Sequence, residues 1–224
     1  MNVEILARVR PPKRGEHFSL NLSGTRIQAS NGTGHIFGAV YKSESLTFDI
    51  YKDAFSPLVE LFVAGYNVCA LVFGETGSGK SYSLAGEKNS KAGLIPLIIN
   101  SVFTQIKNER SARKDTRVQR KDINDGVVFV QFYEVFNEKV RDLLLLPHED
   151  KYVDVAEDGP SGVHVQNATY KRVADAAECT SVFRQGWSNR TKGQTDFETR
   201  ATVFFSLDLS MVPKTAKILS LLDF

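Results

Sequence analysis

The amino-acid sequence predicts an α/β protein, and three observations support that class. The segment 74–81 reads GETGSGKS, which matches G-x-x-x-x-G-K-[ST] at every fixed position. The apolar run 68–73 precedes it and is typical of a strand covered on both faces, and a helix is expected to start near Lys80. The length of 224 residues, with 42% hydrophobic and 24% charged, suits one core. We therefore expect a single domain over residues 1–224.

A glycine-rich loop between a strand and a helix predicts a polyphosphate site. Its glycines let successive backbone N–H groups converge on one point, and the positive end of the helix dipole adds to them. Lys80 is then placed to reach the β- and γ-phosphates, and the Ser81 hydroxyl is a ligand for Mg²⁺. A surface turn with a chance lysine is the alternative, which the flanking apolar pattern disfavours. The candidate residues of the loop are Gly74, Glu75, Thr76, Gly77, Ser78, Gly79, Lys80 and Ser81.

Composition narrows the classes of partner and site. The 28 basic and 26 acidic residues leave a formal charge of +2, too small to indicate binding to nucleic acid or to an anionic membrane. We see no signal peptide and no apolar run long enough to span a membrane. Cys69 and Cys179 lie far apart, which favours a reducing, cytoplasmic setting without a disulfide framework. No metal-ligand spacing links the histidines, which are His17, His35, His148 and His164.

The elements before the loop are predicted from apolar periodicity. The apolar, β-branched run 3–9 predicts a strand, which the segment 10–12 ends because its prolines cannot donate to a ladder. Weak alternation at 18–22 and 25–28 predicts short exposed strands. From Phe55, apolar residues at helical spacing predict a helix that stops before the strand leading into the loop.

Helices and one long strand are predicted beyond the loop. The segment 94–106 predicts a helix with proline in its first turn. The charged segment 107–121 has few apolar residues and is expected to be a solvated loop, the alternative being a patch for an acidic partner. The aromatic and β-branched run 127–136 predicts the strongest strand of the chain. A helix over 174–184 is expected to end at Gly186, next to a tryptophan that packs in the core.

Short strands account for the remaining apolar segments. The segments 152–155 and 163–165 alternate around a glycine-rich turn, which predicts a pair of strands. The last two strands are expected at 202–209 and 217–222, the second closed by Asp223. A buried strand that ends in aspartate after a phosphate loop indicates the acidic partner of the magnesium shell, although short apolar runs ending in Asp are also common.

Segments in a characteristic order carry a family resemblance, and they are 8–11, 57–67, 73–84, 94–96 and 132–144. In that order they resemble the motor domain of the kinesin family, and the resemblance runs from Val3 to Phe224. Arg8-Val9-Arg10-Pro11 is similar to the family's Arg-x-Arg-Pro, which implies a cradle for the adenine base. Glu75 and Ser81 stand where the family usually has glutamine and threonine. The nucleotide-binding residues implied outside the loop are Arg8, Arg10, Pro11 and Tyr82.

The resemblance also implies a fold, cofactors and a partner. The fold is P-loop NTPase-like, a three-layer α-β-α arrangement with a mixed central sheet. The cofactors are ATP or ADP with Mg²⁺, the partner is the microtubule, and the location is the cytoskeleton. The implied catalytic residues are Lys80, Thr199 and Arg200, and the implied magnesium ligands are Ser81, Thr199 and Asp223.

The chain departs from the family in the segment that senses the γ-phosphate. Kinesins carry Asn-x-x-Ser-Ser-Arg-Ser-His there, whereas this chain keeps Asn-Arg at 189–190 and continues, apparently shortened, as TDFETRAT at 195–202. Thr199 keeps a hydroxyl that could face magnesium, and Arg200 matches the family's arginine. Glu198 places a carboxylate near a polyanion, which is repulsive without a cation between them. We expect hydrolysis to suffer more than nucleotide affinity.

The second departure lies at the end of the sequence. In kinesins the strand aligned with 218–223 continues into Asp-Leu-Ala-Gly-Ser-Glu and later into a central strand, the main microtubule-binding helix and the neck linker. Only Asp223 and Phe224 correspond here. Unpaired buried backbone groups cost about 1–3 kcal/mol each, against a domain stability of about 5–15 kcal/mol. We therefore expect a motor domain that is incomplete at its C-terminus and marginally folded alone.

Three functions are consistent with these residues. The first is a kinesin-like, ATP-binding motor domain in microtubule-based movement, with impaired hydrolysis. The second is a non-motile, kinesin-derived protein that binds nucleotide or microtubules as a structural or regulatory element, which Glu198 and Ala201 favour. The third is a small-molecule kinase, which fits the loop alone and leaves the segment 132–144 unexplained.

Overall fold

The structure is a computed structural model that describes residues 3–14, 20–87, 92–114, 127–145, 152–159, 162–190, 201–211 and 214–223. For β14 only the backbone is described. The helices are α1 (Thr47–Ile50), α2 (Ser56–Val63), α3 (Lys80–Ala85), α4 (Leu94–Lys114) and α5 (Ala176–Asn189), and a π-helix spans Tyr51–Phe55. The strands are β1 (Leu6–Arg8), β2 (Leu20–Ser23), β3 (Arg26–Ala29), β4 (Gly34–Ile36), β5 (Ala39–Tyr41), β6 (Val68–Val72), β7 (Val127–Phe136), β8 (Lys139–Asp142), β9 (Tyr152–Val153), β10 (Val155–Asp158), β11 (Gly162–Val165), β12 (Lys171–Val173), β13 (Thr202–Met211) and β14 (Lys214–Asp223).

The main sheet contains the strand that leads into the glycine-rich loop. Among the described strands its order is β6-β14-β13-β7-β8-β9, and β12 also pairs with β7. β14 runs parallel to β6, whereas β13 is antiparallel to both β14 and β7. Smaller sheets are formed by β1 with β5, by β2 to β4, and by β10 with β11. The predicted combination of helices with a mixed sheet is therefore confirmed.

The hydrophobic core lies on one face of the main sheet. Val130 and Phe132 of β7 pair with Leu207 and Phe205 of β13, and all four side chains are buried in one cluster with residues of α2, α4 and α5. Phe132 stacks on Phe183 of α5, with ring centroids 5.9 Å apart. Burying each such side chain contributes about 1.5–3 kcal/mol. The described helices thus fix the strands of the sheet from this side.

β6 is less buried than its sequence predicts. The expectation of a strand covered on both faces is wrong, because Cys69 and Leu71 are exposed while Val68 is buried. Leu71 is 55% exposed, and Phe73, just beyond the strand, is 74% exposed. The reason is position: β6 lies at the end of the described sheet, and β1 pairs with β5 instead of with β6. A continuous apolar run therefore does not distinguish an interior strand from this edge.

α4 is longer than the apolar pattern indicates. Ile98, Ile99, Val102 and Ile106 are buried, but the helix continues through Lys107 to its end at Lys114. The expected solvated loop over 107–121 is wrong for 107–114, and residues 115–121 lie outside the described part of the chain. Lysine, glutamate, arginine and alanine are good helix formers, so an exposed helix needs no apolar stripe there. None of the helices described here has the length and apolar character needed to cross a membrane.

α5 ends beyond the residue at which its stop was predicted. Asp175 is its N-cap and accepts a hydrogen bond from the Glu178 N–H at 2.8 Å. Gly186 was expected to end the helix but is a buried interior residue, and the helix runs to Asn189. A Cβ at Gly186 would overlap the ring of Phe132. The glycine is thus explained by close helix-to-sheet packing and not by termination.

A π-helix joins α1 to α2 where a proline interrupts the regular ladder. Pro57 lies at the start of α2 and has no N–H to donate. The Ser56 N–H instead reaches back to the Tyr51 carbonyl, which is the wider i to i−5 bond of a π-helix. The chain therefore continues from Thr47 to Val63 as one locally widened helix.

The other predicted strands are present, most with shifted bounds, whereas β4, β5, β8 and β12 have no counterpart in the sequence prediction. β7 spans the predicted 127–136, and the turn after it has positive φ at Asn137 (49°) and Glu138 (63°), which leads directly into β8. β10 and β11 form the predicted hairpin near 152–165. β9 separates from that hairpin and pairs with β8.

Candidate functional site

The glycine-rich loop leaves β6 and enters α3, as the sequence predicts. Gly77 has φ +81°, and Gly79, the N-cap of α3, has φ +99°, a region that side-chain-bearing residues rarely adopt. The Ser78 N–H donates to the Glu75 carbonyl at 2.9 Å, closing a tight turn inside the loop. The loop is therefore a compact curl of backbone whose shape depends on glycine.

Lys80 contacts its own loop. Its Nζ donates to the Gly74 carbonyl at 2.8 Å and to the Glu75 carbonyl at 3.4 Å. The ammonium thus lies over the start of the loop, held by neutral acceptors. Phosphate oxygens form stronger, charge-assisted bonds with an ammonium than neutral carbonyls do.

Arg8 connects β1 to the helix that follows the loop. Its Nη1 donates to Ser83 Oγ at 2.9 Å, and its Nη2 donates to Thr47 Oγ1 at 3.2 Å. The guanidinium carbon also lies 5.2 Å from the centroid of the Tyr82 ring. Burial lowers the pKa of Arg8 below its ordinary value, which the nearby Tyr82 partly offsets. The structure therefore brings together Arg8 and Tyr82, two of the nucleotide-binding residues implied outside the loop.

Arg10 and Pro11 line the same cavity as the loop. Arg10 Nη1 donates to the Pro11 carbonyl at 2.9 Å. The cavity has a volume of about 2230 Å³ and extends between β1 and β6, and the loop borders part of it. Small-molecule sites usually occupy roughly 300–1,000 Å³, so a nucleotide would fill only part of this space. Of the loop residues, those that line it are Gly74, Ser78, Gly79 and Lys80.

Lys13 lies at the loop and was missed by sequence reasoning. A Cβ built on Gly77 would lie 2.8 Å from Lys13 Nζ, so the ammonium is close to the backbone of the loop. Lys13 also lines the cavity together with Lys80. The signal that could have indicated it is local: Lys13 directly follows Pro11-Pro12, which extend the chain away from β1.

The predicted magnesium and catalytic residues are described only in part. Asp223 ends β14, and its backbone is paired with Val72, the last residue of β6 before the loop. Parallel strands place their carboxyl ends at one edge of a sheet, so this position lies beside the loop. Ser81 lies in the first turn of α3 and is exposed. Thr199 and Arg200 lie outside the described residues.

The described donors fit a magnesium ion that arrives with a nucleotide. Among the residues that the structure describes, no group of three or more histidine, cysteine, aspartate or glutamate side chains lies close enough to hold a metal. A hydroxyl and a nearby strand-end position do suit Mg²⁺, which keeps several waters and takes ligands from phosphates. The exposed Ser81 hydroxyl therefore suits an ion whose other ligands are phosphate oxygens and waters.

A polar cluster anchors the C-terminal end of α5. Arg141 of β8 pairs with the buried Glu134 of β7, with Nη2 and Oε1 2.6 Å apart, and Nη2 also donates to the Asn189 carbonyl at 2.6 Å. The Asn189 side chain donates to the carbonyls of Leu143 and Leu145 at 2.9 and 3.2 Å. Asn189 is one of the two residues that the resemblance assigns to the γ-phosphate-sensing motif, and this cluster holds it at the end of α5.

The comparisons with known proteins agree on one family. A kinesin motor domain profile matches residues 12–217. Kinesin-like protein KIN-12G of Oryza sativa subsp. japonica is 28% identical over 87% of this chain and 16% of its own length. Kinesin-like protein 3 of Schizosaccharomyces pombe is 26% identical over 96% of this chain and 38% of its own. Chromosome-associated kinesin KIF4A of Homo sapiens is 28% identical over 75% of this chain and 14% of its own length. The chain thus spans well under half the length of these relatives.

Proposed function

The chain belongs to the kinesin motor domain family, and on that premise we propose that it binds Mg-ATP and Mg-ADP and acts in microtubule-based movement, with impaired ATP hydrolysis. The observation that carries the proposal is the loop 74–81, which curls between β6 and α3 with Lys80 held on its carbonyls. Members of this family have the P-loop NTPase fold, which binds nucleotide phosphates at such a loop.

The proposed site divides between phosphates and base. The backbone N–H groups of the loop receive the phosphates, and Lys80 exchanges the neutral Gly74 and Glu75 carbonyls for charged phosphate oxygens. The base would lie next to Arg10 and Pro11, against the ring of Tyr82. The Arg8 guanidinium lies over that ring, which supplies a flat apolar surface. The remaining proposed nucleotide contacts are Thr76, Gly77, Ser78 and Gly79.

Magnesium would be held by the same corner of the fold. We propose Ser81 as its hydroxyl ligand, Asp223 as the carboxylate of its outer shell, and Thr199 as a second hydroxyl. The ion supplies neutralisation of charge on the phosphates. Lys80 and Arg200 would stabilise negative charge during phosphoryl transfer.

Titration with a fluorescent ADP in the presence of Mg²⁺ tests the binding proposal. We expect saturable binding by the wild-type chain and about tenfold or greater weakening in Lys80→Ala, because a charge-assisted hydrogen bond contributes about 1.5–3 kcal/mol. Lys171→Ala removes an exposed lysine of β12 and is the matched control, expected to bind like wild type. Absence of saturable binding by the folded wild-type chain would refute the proposal.

A non-motile, nucleotide-binding role is the second candidate. Ala201 directly precedes β13 at a position where the family's motif has a serine, and Glu198 adds a carboxylate to that segment. Both changes weaken the positioning of water and phosphate on which hydrolysis depends. Microtubule-stimulated phosphate release separates the candidates. We expect little or no stimulation for residues 1–224, and strong stimulation would favour a working motor.

We propose a three-layer arrangement in one domain as the architecture for this function. The described helices join the core on one face of the sheet. The opposite face carries aromatic pairs in which Tyr133 stacks on Phe204 at 5.1 Å and Phe129 stacks on Tyr170 at 4.5 Å. Aromatic side chains contribute most when they are covered on both sides, which favours a further layer on that face.

A further inference from the structure

Lys13 is a cation at the loop that belongs neither to the phosphate-loop pattern nor to the motifs of the family resemblance. It follows β1 after Arg10-Pro11-Pro12, and the two prolines restrict the backbone so that the chain extends away from the strand in few directions. Its Nζ lies beside Gly77, where a Cβ would be only 2.8 Å away. The absence of a side chain at Gly77 leaves room for this ammonium beside the backbone of the loop.

The charges of the loop itself cancel. Between residues 74 and 81, Glu75 is the acidic residue and Lys80 the basic one. Backbone N–H dipoles still attract an anion, but a formally neutral loop adds no net Coulomb attraction. Lys13, contributed from a distant part of the sequence, adds one positive charge beside the loop. A more positive potential at a concave site favours a polyanion.

We propose that Lys13 is a second polyphosphate-binding cation, which acts with Lys80 on the terminal phosphates of the nucleotide. This inference rests on the proposed function, since it needs a nucleotide in the loop. Lys80 contacts the loop at Gly74 and Glu75, whereas Lys13 approaches it at Gly77, so the two ammonium groups reach the loop at different points. Both line the same cavity.

The test compares single variants in competition titrations against a fluorescent Mg-ADP. We expect Lys13→Gln to weaken the binding of ADP and ATP by about tenfold, which is the effect of losing one charge-assisted contact. The affinity for AMP should stay within about twofold of wild type. The slope of log affinity against log salt should become shallower, because fewer charges meet the phosphates. Lys13→Arg keeps the charge and should retain most of the affinity.

Arg14→Gln is the matched control, because it removes the same charge from an exposed neighbour outside the residues that line the cavity. The proposal would be overturned if Lys13→Gln bound ADP as tightly as wild type, or if Arg14→Gln lost as much affinity as Lys13→Gln. It would also be overturned if Lys13→Gln lost as much affinity for AMP as for ADP. These results differ from failure of the proposed function, in which the wild-type chain itself shows no saturable binding of ADP.

Discussion

Arg8 shows at the scale of one residue how the chain before the loop is joined to the helix after it. Its guanidinium donates to Ser83 and Thr47 and lies over the ring of Tyr82, so three separate segments meet at one planar group. Arginine stays protonated even when burial lowers its pKa, so these bonds persist across the physiological range. We infer that Arg8 acts by positioning Tyr82 as well as by bordering the base.

Asp208 is a buried carboxyl without a full set of partners. It is 4% exposed on β13, and its Oδ1 has no hydrogen-bond partner among the described residues. Tyr170 donates a hydrogen bond to it, and Tyr133 lies close enough for their charges to interact. Burial raises the pKa of Asp208 above its ordinary value of 3.8, and the Tyr170 hydrogen bond offsets this in part.

The raised pKa of Asp208 predicts how stability depends on pH. The folded state holds this proton more tightly than the unfolded state, so the contribution to stability is complete below the ordinary pKa and is lost as pH rises through the raised value. We therefore expect Asp208→Asn to increase the free energy of unfolding by about 1–2 kcal/mol at pH 7, with the gain shrinking toward pH 4.

Urea unfolding of both proteins across that pH range measures the difference. Asp154→Asn, at an exposed carboxylate before β10, is the control and should follow wild type at each pH. If Asp208→Asn increased the free energy of unfolding by the same amount at every pH, the effect would not arise from titration of Asp208. That result would contradict the raised pKa.

At this scale the sequence predicted residues that belong to local motifs and missed those that depend on distant pairing. The residues of 74–81 are recognisable because the phosphate-loop pattern is contiguous. Lys13 follows the prolines at 11–12 in the sequence, but the position of its Nζ next to Gly77, far along the chain, depends on the fold. Asp208 lies on β13 and Tyr170 directly precedes β12, and the two residues meet because both strands pair with β7.

The close packing of α5 on β7 depends on one residue without a side chain, Gly186. Phe132 is buried among Phe183, Trp187 and Phe205, and it occupies the space where a Cβ of Gly186 would lie. Trp187 packs as predicted and is also stacked by Arg190 at 3.5 Å. The approach of the helix to the sheet is therefore set by a glycine in the interior of the helix.

Gly186→Ala is expected to destabilise the protein by about 1–3 kcal/mol, the usual cost of overpacking a filled core. The direction of the change in stability is informative, because in an exposed helix the same substitution would stabilise the protein by about 1 kcal/mol. Gln185→Ala, at an exposed neighbour in the same helix, is the control and should change the stability by less than about 0.5 kcal/mol. Chemical denaturation provides the measurement, and a more stable Gly186→Ala would disprove close packing at this position.

Elements with strong local signals were predicted well, and errors arose where tertiary context decides. β7 spans the predicted residues because eight of its ten residues are aromatic or β-branched, a composition that strongly favours a strand. α4 was underestimated because an exposed helical extension has no apolar stripe to detect. β6 was placed correctly along the chain, but its burial was wrong, since the sequence does not reveal which strand ends a sheet.

At the scale of the whole molecule, one end of the sheet is where the functional features converge. β6, the loop and α3 meet there, β14 brings Asp223 alongside Val72, and the cavity between β1 and β6 opens next to Arg8. The core lies behind this corner, in the cluster that α2, α4 and α5 form with the sheet. The fold thus supports the loop from one side and leaves the other side accessible to a ligand.

A crystal structure of the chain with Mg-ADP would show whether the loop 74–81 holds the diphosphate of a nucleotide. We expect the β-phosphate within the curl of the loop, with Lys80 Nζ moved from the Gly74 carbonyl to a phosphate oxygen and the ion next to Ser81. A nucleotide bound elsewhere in the cavity, with Lys80 still on the carbonyls of its own loop, would contradict that expectation.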